Sequence, residues 1–275
     1  MSTKRFESLR RCLFVFLFGF AGAAAAQTSP EMDILGISLG MPLQEAVAIV
    51  KRHQPPMRVS EFDGDIGGIR GSRIQGLKYP VGANGQRACV GVNCGTYGNE
   101  TLGVYGVAPP NESVVGAVYR SITFEEVPLQ TLLQALIRKY GEPLFAALPE
   151  AGNAFYTLSW SRDPSGAPLK DRTRVEGCSR EARNVDGQRI AASAMFHSDA
   201  VVSPYADCGL TLVVSVSSNN PDMTKALVRG YHIIMYDGNA VRRFNRATLD
   251  FAAAEADKIE AERLRKAGES KVPPM

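Results

Sequence analysis

Ser38 stands in Gly36-Ile-Ser-Leu-Gly40, a literal G-x-S-x-G. In serine hydrolases this spelling marks a sharp strand-to-helix turn that exposes the nucleophile. Such an elbow sits on a central strand and takes an oxyanion donor from a loop after an earlier strand. Only residues 27 to 37 separate Ser38 from the end of an expected export leader, too few for those strands. Gly40 for a turn and Pro42 for the first helical position explain the same letters. An envelope serine hydrolase using Ser38 or His197 is therefore the alternative reading, not the leading one. Of the three histidines, His53 ends an amphipathic helix, where a basic residue suits the dipole. His232 lies inside an apolar strand and reads as a core histidine. His197, in Met195-Phe-His-Ser-Asp199, has plausible partners beside it, but adjacent residues of a strand point to opposite faces. There is no HExxH, P-loop, dinucleotide fingerprint or CxxC. Asp63-Gly-Asp65 opens like a calcium loop, yet Gly67 and Ile74 occupy positions that need ligands, leaving a glycine-rich hairpin turn. We expect no catalytic set, no cofactor and no metal.

The cysteines carry the clearer chemistry. Setting aside Cys12 leaves Cys89, Cys94, Cys178 and Cys208, an even number that in an exported chain reads as two disulfides. Three pairings are possible, and Cys89–Cys94 with Cys178–Cys208 keeps each bridge local. By loop entropy these contribute roughly 2 and roughly 3.5 kcal/mol. Zinc is the rival, but Cys89-Val-Gly-Val-Asn-Cys94 has no second close pair and no histidine at ligand spacing.

Export is expected from the first 26 residues. Lys4, Arg5, Arg10 and Arg11 precede the apolar run from Leu13 to Phe20, and Ala24-Ala-Ala26 offers a small-residue cleavage site before Gln27. The apolar stretch is shorter than the ~20 residues of a spanning helix, so no membrane span is expected after cleavage. Four of the 31 basic residues and one of the 28 acidic residues fall in this segment, leaving 27 of each in the remainder of the 275-residue chain. A balanced chain with no basic run has no electrostatic footprint for nucleic acid. It is expected to be periplasmic or secreted.

The elements follow from periodicity. Ile34 to Leu39 reads as a strand and Gly40 as a turn. Leu43, Ala46, Val47 and Val50 then fall at i, i+3, i+4 and i+7, one face of a helix. The same phrase returns later: Pro128-Leu-Gln130 opens Leu129, Leu132, Leu133, Leu136, Ile137 and Tyr140 at helical spacing, with Gly141 and Pro143 as stop signals. That echo suggests an internal duplication. Met57 to Phe62 and Val114 to Phe124 read as strands, as do the period-two runs Phe155 to Trp160 and Gly209 to Ser217, and the apolar run Val228 to Tyr236. Asp163 to Arg189 reads as an extended hairpin or surface loop. A long helix begins near Asn239 or Ala240, packs through Val241, Phe244, Leu249 and Phe251, and becomes a solvated, ion-paired helix beyond Ala254.

Leu35-Gly-Ile-Ser-Leu-Gly-Met-Pro-Leu-Gln-Glu-Ala46, with Arg138-Lys-Tyr-Gly-Glu-Pro143, Trp160 and the later cysteines, resembles a group of uncharacterised exported proteins of Gram-negative bacteria. More distantly, the Gly-Met-Pro-Leu-Gln-Glu-Ala-Val and Lys-Tyr-Gly-Glu-Pro phrases resemble small lipoproteins of outer-membrane assembly, whose fold is similar to that of the β-lactamase inhibitor protein. This chain lacks their lipidated cysteine and is longer. The resemblance implies helices packed on an antiparallel sheet and binding of other proteins without catalysis.

The expected fold is α+β: antiparallel sheet(s) with amphipathic helices packed on one face and a long C-terminal helix. The expected organisation is a signal peptide over 1–26, a strand-helix-sheet unit over 27–110, a helix-on-sheet unit over 111–267 and a disordered tail over 268–275. Ala108-Pro-Pro-Asn111 is the boundary. The expected function is non-catalytic binding of another protein or an envelope component, with a secreted virulence-type factor as a further alternative.

Overall fold

The computed structural model describes residues 32–53, 56–65, 77–88, 97–147, 155–184, 208–218, 220 and 222–269. Eight strands form one antiparallel sheet: β1 (Arg58–Asp65), β2 (Lys78–Arg87), β3 (Tyr97–Gly106), β4 (Val115–Pro128), β5 (Phe145–Ala147), β6 (Phe155–Ser161), β7 (Leu210–Ser218) and β8 (Leu227–Asp237). Their spatial order is β1-β2-β3-β4-β8-β7-β6-β5. Four helices accompany them: α1 (Leu43–Arg52), α2 (Leu129–Tyr140), α3 (Arg172–Asn184) and α4 (Gly238–Gly268). The fold is α+β, as the residue pattern predicts.

The strand order reads the same from either edge once β1 to β4 are matched with β5 to β8. Each series is a helix followed by four strands in sequential order, the second interrupted by α3 between β6 and β7, and the two series meet at β4 and β8. The helix starts correspond in detail. Pro42 and Pro128 precede their helices with nearly the same backbone, φ −53°, ψ 130° and φ −58°, ψ 135°. Pro42 bridges Val114, just before β4, while Pro128 pairs with Leu227 at the start of β8. The Leu43 N–H donates to Ser113 O at 2.8 Å, and the Leu129 N–H donates to Ala226 O at 2.9 Å. Proline fits this place because it donates no bond and its φ is already set.

Helices α1 and α2 share one face of the sheet. Leu43, Val47 and Val50 from α1 and Leu129, Leu133 and Leu136 from α2 join Leu102, Val104, Trp160, Val214 and Met235 in one core. The amphipathic spacing that defines the helices thus also defines their buried sides. The opposite face carries a second core of Tyr105, Ala117, Val213, Ile234 and Tyr236 against Ala182 of α3 and Val241 and Ala252 of α4. Alternation along β8, with Ile233 and Met235 on one side and Ile234 and Tyr236 on the other, feeds both layers.

Three sequence expectations change. Ile34 to Leu39 is not a strand. Ile34 and Ile37 exchange two 3.0 Å backbone hydrogen bonds across a tight turn, with Leu35 at φ 56° and Gly36 at φ 79°. Asp33 Oδ1 accepts from the Gly36 N–H at 2.6 Å, closing the turn locally.

The stretch Asp163 to Arg189, expected as hairpin or loop, contains α3 over Arg172–Asn184. Asp171 accepts from the Arg174 N–H through its side chain and from the Val175 N–H through its carbonyl, as an N-cap does. The buried side of α3 includes Ser179 and Glu181 as well as Val175, Cys178 and Ala182, so the apolar period is interrupted by polar residues. Glu181 is held by Arg242 of α4 at 3.0 Å.

The Gly209 to Ser217 run is the strand predicted, and the bridge Cys178–Cys208, with Cα atoms 5.5 Å apart, ties α3 to the segment entering it. The third change, the setting of His232, belongs to the site described next. Cys89 and Cys94, and the Ile66 to Gly68 end of the predicted hairpin turn, lie outside the described residues. Ala108-Pro-Pro-Asn111 joins β3 to β4, which are neighbours in the sheet, and Asn111 Nδ2 donates to Ala108 O at 2.6 Å and Phe244 O at 3.3 Å.

α4 has 31 residues and, at 1.5 Å per residue, is about 46 Å long. Asp237 caps it by accepting from the Ala240 N–H at 2.7 Å. Its buried residues end at Ala252. Beyond that point it is held by side-chain pairs such as Glu262 with Lys266 at 2.7 Å. No helix among the described residues is long and apolar enough to cross a membrane.

Candidate functional site

A groove forms where β8 falls out of register with both neighbours. Between Thr123 and Val127, β4 holds more residues than the facing stretch of β8, and β7 shifts against β8 between Val216 and Ser218. Such bulges bend strands and interrupt pairing. Here they open a groove of about 570 Å³ lined by Ser121, Thr123, Glu126, Ser217, Arg229 and His232, among others. Gly230 sits between the shifts, and a Cβ there would run into the carbonyl oxygen of Ile122. Close approach of the two backbones therefore requires glycine.

Cross-strand register aligns Ser121, His232 and Ser215 in one row and places Thr123 opposite Gly230 in the next. These residues continue the face occupied by Ile234 and Tyr236, beyond the part covered by α3 and α4. His232 was expected in the core, but it is exposed. Its place in an apolar strand does not bury it, because its face of the sheet has no described helix over it at that level. Its Nδ1 lies 3.1 Å from the Tyr119 hydroxyl, and the two rings stack with centroids 6.3 Å apart. Although one side of the ring is open, desolvation by the sheet pushes the imidazole below its ordinary value, keeping it neutral at pH 7. Arg229 and Glu126 form a 2.9 Å ion pair at the rim. The groove therefore offers hydroxyls, a neutral imidazole and a paired charge: hydrogen-bonding groups suited to a polar or extended ligand.

On the α1/α2 face lies a charged cluster that sequence reading missed. The Glu100 side chain is 1% exposed. Its Oε1 accepts from Arg120 Nε at 2.7 Å, and its Oε2 accepts from Arg87 at 2.8 Å and lies 3.3 Å from His53 Nε2. Burial pushes this carboxyl up, but Arg120 and then His53 outweigh burial and hold it below the usual value. Arg120 also donates to the Tyr231 hydroxyl at 3.0 Å. Strand positions carry the signal: Glu100 alternates with Leu102 and Val104, and Arg120 with Val118 and Ile122, so both point toward the core.

Comparison with protein-family models, characterised proteins and solved structures finds no match.

The sequence candidates are not brought together. Ser38 lies in the link between the Ile37 bridge and α1, half-buried. Among the described residues its side chain bonds neither a histidine nor a carboxylate. His53 faces Glu100 on the α1 side, while His232 lies on the opposite face. Neither Ser121 nor Ser215, its cross-strand neighbours, forms a side-chain hydrogen bond to His232. His197 lies outside the described residues. No three His, Cys, Asp or Glu residues among those described are grouped as metal ligands would be.

Proposed function

We propose that this chain is an exported, non-catalytic binding protein that engages another protein or an envelope component through the groove between β4, β8 and β7. The groove itself carries the reading: its register shifts expose hydroxyls and strand backbone in one concavity, beside a rim charge pair that can select a partner's polarity. An extended partner segment would find hydrogen-bonding groups of both kinds there, with specificity left to side chains. The N-terminal segment with its basic start and apolar run supports export, as does the bridge Cys178–Cys208. The resemblance to exported proteins of Gram-negative bacteria supports a partner in the cell envelope.

The test is capture from envelope extract by the immobilised full mature chain and by a Thr123→Arg/Ser217→Arg variant. Both positions are exposed, so the variant should fold. We expect a discrete protein or glycan to be retained by the native chain and lost from the variant. Equal retention by both, or a turnover that survives the variant, would overturn the reading.

A further inference from the structure

The groove belongs to a longer polar row. Following the register outward from Ser121 and His232, Thr101 of β3 lies opposite Ser121, Gln86 of β2 lies opposite Thr101, and Ser215 of β7 lies opposite His232. The five strands are neighbours in the sheet, so at about 4.8 Å per strand the row spans about 19 Å. All five side chains are exposed or half-buried. Among the described residues, those of Gln86, Thr101, Ser121 and Ser215 form no hydrogen bond. Asn84 and Thr123 beside them do, with Tyr105 and Asn99.

The row therefore offers one amide and three hydroxyls, each able to donate and accept. From Gln86 to Ser215 it holds no charge, since His232 is neutral at pH 7. Arg229 at the rim is paired with Glu126, and Arg58 stands opposite Gln86 on the edge strand β1. Tyr119 and His232 lie within 20° of parallel and form an aromatic pad, whose electron-rich faces attract C–H groups. These features select among partners. A peptide added as a strand needs an open edge, but β4, β8 and β7 are each paired on both sides. An acidic or basic chain would meet no free counter-charge along the row. A neutral chain of hydroxyls with C–H faces matches both the row and the pad.

We propose that this row binds an uncharged oligosaccharide, whose hydroxyls exchange hydrogen bonds with Gln86, Thr101, Ser121 and Ser215 while one sugar ring lays its C–H face on the Tyr119–His232 pad. The inference rests on the groove being a binding surface and names its occupant as a neutral glycan of the envelope.

The mature protein is titrated by calorimetry with cellotetraose, with tetra-N-acetylchitotetraose and with the de-acetylated, cationic form of the latter. We expect saturation by at least one neutral tetrasaccharide with Kd below about 1 mM, and binding of the cationic chain at least about fivefold weaker. His232→Ala, at an exposed position, should weaken the neutral chain about fivefold while His232→Phe retains it. Gln86→Ala, also exposed, should weaken it about threefold. Lack of saturation by both neutral chains, equal binding of the cationic one, or binding unaffected by His232→Ala and Gln86→Ala would overturn the proposal. A protein captured through Thr123 and Ser217, with no saturation by either neutral chain, would overturn it and leave the groove a binding surface. Retention of nothing in that capture, together with no saturation here, would overturn both.

Discussion

Arg120 Nε meets Glu100 Oε1 at 2.7 Å between two strands of the central sheet, with the carboxylate side chain 1% exposed. A buried carboxylate in this position is tolerated because two guanidiniums and an imidazole surround it. Removing one partner should therefore cost more than the pair itself contributes. Glu100→Ala is expected to lower the unfolding free energy by about 3–5 kcal/mol, measured by urea denaturation. A loss below about 1 kcal/mol would place the cluster among ordinary surface pairs.

The same contact sets an acid limit. The carboxyl of Glu100 is held below its unfolded value of 4.5, so its contribution is present above that pH and is lost as the pH falls through the lower folded value. Native protein should lose its stability advantage over Glu100→Gln as the pH drops from about 5 toward 3. A gap that stays constant across that range contradicts the assignment.

Leu43 and Leu129 occupy matching places at the starts of α1 and α2, with exposures of 1% and 0%. Each change to alanine should cost about 2–5 kcal/mol, and the two costs should be similar because the surrounding backbone pairing is the same. A large disparity in thermal unfolding would argue against equivalent roles.

Reduction of Cys178–Cys208 should remove about 3.5 kcal/mol of stability by loop entropy, read by unfolding with and without reductant. Conversely, deleting the chain from Lys258 onward should alter stability by less than about 0.5 kcal/mol. That end of α4 is exposed, including Ile259 at 56% and Leu264 at 60%.

What the sequence makes legible is whatever repeats locally. Leu43, Ala46, Val47 and Val50 announce α1, and Tyr156, Leu158 and Trp160 announce β6, because one periodic face meets one core. α3 is hidden because Ser179 and Glu181 are buried, Glu181 paired with Arg242 some sixty positions away at 3.0 Å. The Ile34–Ile37 turn is hidden because Leu takes a backbone usually left to Gly or Asn. The Glu100 cluster is half visible: alternation places Glu100 on a core face, but its partners come from the residue that follows α1, from β2 and from β4. The groove is invisible to local reading, since it arises from register between β4, β7 and β8, and only the folded sheet decides where Gly230 falls opposite Ile122 and Thr123.

The most direct measurement is photo-cross-linking in cells, with a photoreactive residue placed in turn at Ser121, Thr123, Ser217 and Arg229, and at exposed control positions on α1 and the end of α4. We expect one discrete adduct from the groove positions and none from the controls, in the envelope fraction. Adducts distributed without regard to position, or none from the groove while a control yields one, would contradict a recognition surface built on β4, β8 and β7.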